Sequence, residues 1–139
     1  MIISKIDLVV GLDTFRPVTV DNPADHVMHS ERYSVSNKTW EACQTAKRVV
    51  AVGTTTVRAL ESAARGPLAG RTDLFLRRGS QFKIVDSMMT NFHMPKSTLL
   101  MMIDAFIGAR WKLLYQEALD NQYRFLSFGD AMLLHRMSN

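Results

Sequence analysis

The chain has 139 residues, 47% of them hydrophobic and 22% charged, which is the profile of one ordinary globular domain with its own core. Lys and Arg exceed Asp and Glu by 17 to 13, a net charge of +4 that permits a phosphate-bearing partner without requiring one. The single cysteine, Cys43, excludes an internal disulfide, and no apolar run approaches the roughly 18 residues of a membrane span. No secretory leader is expected, because MIISKIDLVV carries Lys5 and Asp7 inside its apolar stretch. A lone thiol suits a reducing, cytoplasmic setting, and Cys43 itself reads as a small, partly buried apolar side chain.

In chain order, Ile2–Val10 is apolar and β-branched and predicts a strand. Gly11 to Pro23 is rich in turn formers and predicts a loop; His26–Ser34 is polar and reads as extended or irregular. Asn37–Lys47 has Trp40, Cys43 and Ala46 or Lys47 at helical spacing, with Ser36 or Asn37 as N-cap. Arg48–Val52 predicts a short buried strand ended by Gly53. Thr55–Ala64 predicts a helix with Val57, Leu60, Ala63 and Ala64 on one face, stopped by Arg65-Gly66-Pro67. Gly66–Arg71 reads as a loop, and Thr72–Leu76 and Phe82–Met89 as strands around an Arg77–Ser80 turn. Ser97–Gly108 is apolar nearly all round and predicts a helix buried on several sides. Arg110–Asn121 predicts another, with Trp111, Leu114, Tyr115 and Ala118 inward, and "AMLLH" before the terminus reads as a strand. This alternation predicts one α/β domain over residues 1–139, an α/β/α sandwich with a mostly parallel sheet.

In such sheets ligands bind at the carboxyl ends of strands, where the chain enters the next helix. "VVAVGTTTVRALE" has that form: strand, Gly53, three threonines, helix. Free backbone N–H groups at a helix start can receive an anion or a ribose oxygen, although threonines there also serve as caps. "TNFHMPKST" has the same form, setting Thr90, Asn91, His93 and Lys96 between two apolar runs. "HVMHSE" offers His26, His29 and Glu31; a His–Glu pair suits acid–base work, and a zinc site would need further ligands that do not follow at a characteristic spacing. Arg58 and Glu61, three residues apart, read either as a surface ion pair or as an arginine facing an acidic ligand.

Six ordered blocks, "VGLDTFRPV", "HVMHSE", "VGTTTVRALES", "TDLF", "FKIVDSMMTNFHMPKSTLLMM" and "YRFLSFGDAM", together resemble the C-terminal half of the S-adenosylmethionine:tRNA ribosyltransferase-isomerase (QueA) family of queuosine biosynthesis. The resemblance implies transfer of the ribosyl part of S-adenosylmethionine to 7-aminomethyl-7-deazaguanine at the wobble position of certain tRNAs. Epoxyqueuosine is formed and adenine and methionine are released. It also implies tRNA and S-adenosylmethionine as partners, the latter a co-substrate, with no separate cofactor, no metal and no membrane. Family members are longer, with an N-terminal portion and an inserted β-barrel that this chain does not match, so a partial domain is expected. Asp13 stands where the family usually has glycine, and Arg77-Arg78-Gly79 where Tyr-Pro-Gly is more usual.

On that resemblance, His29 and His93 are the proton carriers, with Glu31 beside His29. Thr54, Thr55, Thr90, Asn91, Ser97 and Asp130 line the substrate. Arg58 pairs with the methionine carboxylate or a tRNA phosphate, and Tyr123 or Phe125 stacks on a base. Two other readings stay open: a non-catalytic tRNA- or nucleotide-binding fragment of that family, and a metal-dependent hydrolase on His26, His29 and Glu31. A partial sheet leaves edges open, so self-association is also expected.

Overall fold

The computed structural model describes residues 1–11 and 26–137, so the expected Gly11–Pro23 loop lies almost wholly outside the described residues. In order the elements are β1 (Asp7–Val9), β2 (Glu31–Ser34), α1 (Asn37–Thr45), β3 (Val50–Val52), α2 (Thr54–Ala63), β4 (Ala69–Thr72), β5 (Ser87–Asn91), α3 (Thr98–Ile107), α4 (Arg110–Asp120) and β6 (Ala131–His135), with a 3-10 turn at Leu126–Phe128. Two small sheets result, ordered β1-β2-β4 and β3-β5-β6.

The fold is mixed α/β, but the expectation of a mostly parallel sheet is corrected. Among the described residues only β3 and β5 pair in parallel; β1–β2, β2–β4 and β5–β6 are antiparallel. The reason lies in the connections. One helix, α2, carries the chain back along β3 before it re-enters the sheet. Two consecutive helices, α3 and α4, separate β5 from β6, and the second undoes the reversal made by the first.

α2 explains most of the core. It packs on β1 and β4 of one sheet and on β3 and β5 of the other. Every residue from Val57 to Ala63 is therefore buried, including the expected face of Val57, Leu60 and Ala63, while Ala64 is the partly exposed C-cap. Such a helix cannot hide polar side chains without giving them partners. Ser62 has one in Thr72, their hydroxyls 2.6 Å apart.

Glu61 has several, and they displace a predicted strand. Its fully buried carboxylate accepts from the backbone N–H groups of Lys83 (2.9 Å), Ile84 (3.0 Å) and Val85 (3.1 Å), and from the Arg65 guanidinium. Residues whose N–H groups point at a carboxylate have none left for a ladder, so the strand expected over Phe82–Met89 begins only at Ser87 and runs to Asn91. The strand expected over Thr72–Leu76 is likewise Ala69–Thr72, with its first three residues in the expected Gly66–Arg71 loop. β2 pairs with it from Ser34↔Ala69 to Glu31↔Thr72, and then the Thr72 hydroxyl accepts from the Leu74 N–H at 3.1 Å and bends the chain away. The Arg77–Ser80 turn forms as expected, with Gly79 at φ 89°. β1 is shorter than Ile2–Val10 because β2 offers partners only to Asp7, Leu8 and Val9.

The helices follow the reading more closely. Ser36 caps α1, accepting from the Thr39 N–H at 3.2 Å, and Cys43 is half-buried, where burial pushes its thiol pKa up. α3 buries Leu99, Leu100, Met102, Ile103, Phe106 and Ile107, and ends at Gly108 with φ 64°. On α4 Tyr115 and Ala118 are buried and Trp111 half-buried, but Leu114 is exposed, because α4 meets its neighbours along a narrower stripe than four residues need.

Ser97 opens α3 by accepting from the Leu100 N–H at 3.1 Å and donating to the Met94 carbonyl at 2.7 Å. Ser97→Ala is therefore expected to cost about 1 kcal/mol of stability, seen in urea unfolding. A loss below about 0.3 kcal/mol would show that the cap is replaced by solvent.

Candidate functional site

Because β3 and β5 are parallel, the chain leaves both at the same sheet edge. Gly53 and Thr54 follow β3 there; Phe92 and His93 follow β5. β6 is antiparallel to β5, so Asp130 enters at that edge too. Two bonds tie the three segments: the Gly53 N–H donates to the Met89 carbonyl at 2.8 Å, and the Asn91 side-chain amide donates to the Asp130 carbonyl at 3.3 Å. The polar residues of "GTTT" and "TNFH" thus gather where a ligand would be expected in an open sheet.

The caps are arranged differently from expectation. Gly53, at φ 88°, is the N-cap of α2, in a region that favours glycine, and no side chain caps the helix. The Thr54 and Thr55 hydroxyls are not spent on the first N–H groups of α2, whereas Thr56 donates to the Val52 carbonyl at 2.7 Å.

On the β5 side, the Thr90 hydroxyl and His93 Nε2 lie 2.8 Å apart, and the His93 N–H donates to the Tyr115 hydroxyl at 2.8 Å. Burial pulls the His93 pKa down from 6.5 to about 4. Its ring is therefore neutral at pH 7, able to accept a proton but not to arrive already carrying one. That departs from the proton carrier near pH 7 expected of it. Burial also raises the Tyr115 pKa, partly offset by the bond from the His93 N–H. Between pH 6.5 and about 4 an unfolded chain binds the His93 proton and the folded chain does not. Acid thus favours unfolding, and stability tied to this ring should fall through that window by about 3 kcal/mol. Urea unfolding at pH 7 and pH 4.5 should show a steeper loss for the wild type than for His93→Gln. Parallel losses would mean that the ring is not desolvated.

The remaining residues divide. The Asp130 carboxylate accepts from the Arg124 N–H, which holds its pKa below the usual range. Tyr123 is half-exposed with its ring edge-on to Phe92, 6.0 Å between centroids. Phe125 packs on Phe92 and Tyr115 at 4.9 and 5.6 Å and belongs with the core aromatics. The structure gives Ser97 a capping role, with its hydroxyl both donating and accepting. His29 is exposed on an irregular stretch, in keeping with the extended or irregular reading of His26–Ser34, and His26 packs edge-on to Phe75 at 5.6 Å. Among the described residues no three His, Cys, Asp or Glu side chains are grouped as a metal would need.

Arg58 and Glu61 form no pair with each other, and neither is on the surface. Arg58 is 3% exposed and binds the buried Glu31 carboxylate through Nη1; Glu31 also accepts from the Gly11 N–H at 3.1 Å. Glu31 is thus committed to an arginine across the fold. The sequence reading also missed Tyr115 as the partner of the His93 backbone. Its signal was a tyrosine on an apolar stripe, a position where a buried hydroxyl must find a partner.

A family model described as queuosine biosynthesis protein matches residues 1–134. The chain belongs to the queuosine biosynthesis protein family. It is 49% identical over 142 residues to an S-adenosylmethionine:tRNA ribosyltransferase-isomerase of Polynucleobacter necessarius, covering 98% of this chain and 41% of that protein. A protein of the same name from Legionella pneumophila is 51% identical over 95% of this chain and 42% of its own length. A crystal structure of S-adenosylmethionine tRNA ribosyltransferase from Thermotoga maritima matches with a TM-score of 0.68 and 48% identity, over 74% of this chain and 40% of that one. The chain therefore spans about two-fifths of the length of these queuosine relatives. These relatives are ribosyltransferase-isomerases and lend the hydrolase reading no support, and no helix among the described residues is long and apolar enough to cross a membrane.

Proposed function

We propose that this chain carries the S-adenosylmethionine-binding part of a tRNA ribosyltransferase-isomerase. The ribosyl group moves from S-adenosylmethionine to 7-aminomethyl-7-deazaguanine at the tRNA wobble position, epoxyqueuosine is formed, and adenine and methionine leave. The observation that carries the reading is the family match over residues 1–134. Thr54, Thr55, Thr90 and Asn91 offer hydroxyl and amide groups suited to ribose oxygens. The sulfonium makes the neighbouring 5′ carbon acidic, and a neutral His93 is the form that accepts a proton. His29 is the second candidate for proton transfer, and Tyr123, half-exposed beside Phe92, offers a ring for stacking on a base.

S-adenosylmethionine is a co-substrate in this reading, with no resident cofactor or metal, and the reaction takes place in the cytoplasm. The two small sheets and their helices belong to a single α/β unit, part of an α/β/α sandwich that the remaining length of the family's polypeptide completes. Val52, Met89 and Leu133 form one register row on the exposed face of β3-β5-β6, and self-association through that sheet is expected when nothing covers it.

The test is adenine release from S-adenosylmethionine with precursor tRNA. The chain alone is expected to be nearly inactive, and activity is expected when the part of a relative that it does not match is added as a separate polypeptide. A folded, mixed sample that releases no adenine contradicts the reading. Activity equal to a whole relative's from this chain alone contradicts the assignment of a partial role.

A further inference from the structure

Among the described residues, Arg58 alone carries buried side-chain N–H groups without partners. The residue is 3% exposed, its Nη1 donates to Glu31, and among the described residues its Nε and Nη2 have no hydrogen-bond partner. Buried N–H groups without partners are costly, and two on one charged side chain are rare in a settled core. The two are also the pair that matters chemically. Nε–H and one Nη2–H point the same way along one side of the guanidinium and match the two oxygens of a carboxylate or a phosphate. Glu31 occupies the other end of the plane. It fixes the ring of nitrogens in place and leaves the two-pronged side unengaged.

Position adds the second argument. Thr54 and Arg58 are four residues apart on α2 and so share one helix face. That face starts at the sheet edge that gathers Thr55, Asn91 and His93, and it leads inward to Arg58. A phosphate of a polynucleotide would have to bring its chain with it to a group this buried. A small ligand needs only its acidic end to reach. Resting on the proposed function, we infer that the Nε/Nη2 side of Arg58 binds the methionine carboxylate of S-adenosylmethionine, and that this contact selects the amino-acid end of the co-substrate.

The experiment is calorimetric titration of the 139-residue chain with S-adenosylmethionine and with its decarboxylated analogue, which keeps the amine and the sulfonium. The wild type should prefer the carboxylate form by roughly tenfold or more. Arg58→Lys keeps the charge but not the two-pronged geometry and should lose most of that preference. Because lysine cannot reproduce the guanidinium's contact with Glu31, a double variant, Arg58→Met with Glu31→Met, removes both charges together and should fold while showing no preference. Circular dichroism melting confirms that each variant is folded. Equal affinity of the wild type for the two ligands, or a full preference retained by folded Arg58→Lys, overturns the inference while leaving the proposed function standing. A wild-type chain that binds neither ligand overturns the proposed function itself.

Discussion

Glu61→Ala is expected to lower the unfolding free energy by about 3–5 kcal/mol. The carboxylate lies at 0% exposure and accepts from three consecutive backbone N–H groups, those of Lys83, Ile84 and Val85, as well as from Arg65. Alanine would leave those donors pointing into a void that no neighbouring acceptor fills. The segment from Lys83 to Val85, which leads into the backbone bonds that Asp86 makes to Val49 and Arg136, would lose its anchor on α2. Thermal unfolding should show the midpoint drop by about 10–15 °C. Glu61→Gln keeps the shape and one acceptor oxygen and should cost about half as much. A Glu61→Ala protein that melts within a few degrees of the wild type would mean that water replaces the carboxylate and that the segment is held by other contacts.

Phe106→Ala should be nearly as damaging, at about 3–5 kcal/mol. Phe106 is the largest fully buried side chain among the described residues, and its ring meets that of Phe82 edge-on with centroids 4.8 Å apart. Its carbonyl also receives the Met137 N–H at 3.2 Å, so the chain after β6 is fastened to the turn of α3 that would loosen. Phe106→Leu, which leaves a smaller cavity, should lose less than half of this. Urea unfolding of the three proteins measures the order. Equal losses for Leu and Ala would point to ring–ring contact with Phe82 as the main contribution, not volume.

The helices were legible because their signals are local. Ser36 and Ser97 sit where caps belong, Gly108 ends α3, and the apolar spacing of α2 and α3 has one reading. The strands were less legible, because pairing depends on residues far away in the chain. Phe82–Asp86 has the composition of a strand, yet the N–H groups of Lys83, Ile84 and Val85 within it are taken by Glu61, more than twenty residues earlier. Nothing within the segment announces this. The antiparallel β6 was hidden for a similar reason: a run of apolar residues carries no direction, and only the count of helices before it decides.

The site divides in the same way. Its location was readable, since a glycine and threonines after a β-branched run, and Asn and His after another, mark two strand ends, and a parallel pairing puts the ends together. The states of its residues were not. Burial drives His93 to a pKa of about 4, and burial is a property of the packed chain. Arg58 read either as half of a surface ion pair with Glu61 or as an arginine facing an acidic ligand. The fold turned it inward to Glu31 instead, on a strand that no helical spacing could have named.

The most direct test of the account is an NMR titration of the isotope-labelled chain with S-adenosylmethionine. Amide shifts are expected to concentrate at the shared sheet edge, over Gly53–Arg58, Thr90–Lys96 and Gly129–Ala131, with the Arg58 side-chain Nε–H moving downfield. Shifts confined to the outer face of β2 and β4, or spread evenly with none larger at those three segments, would contradict it.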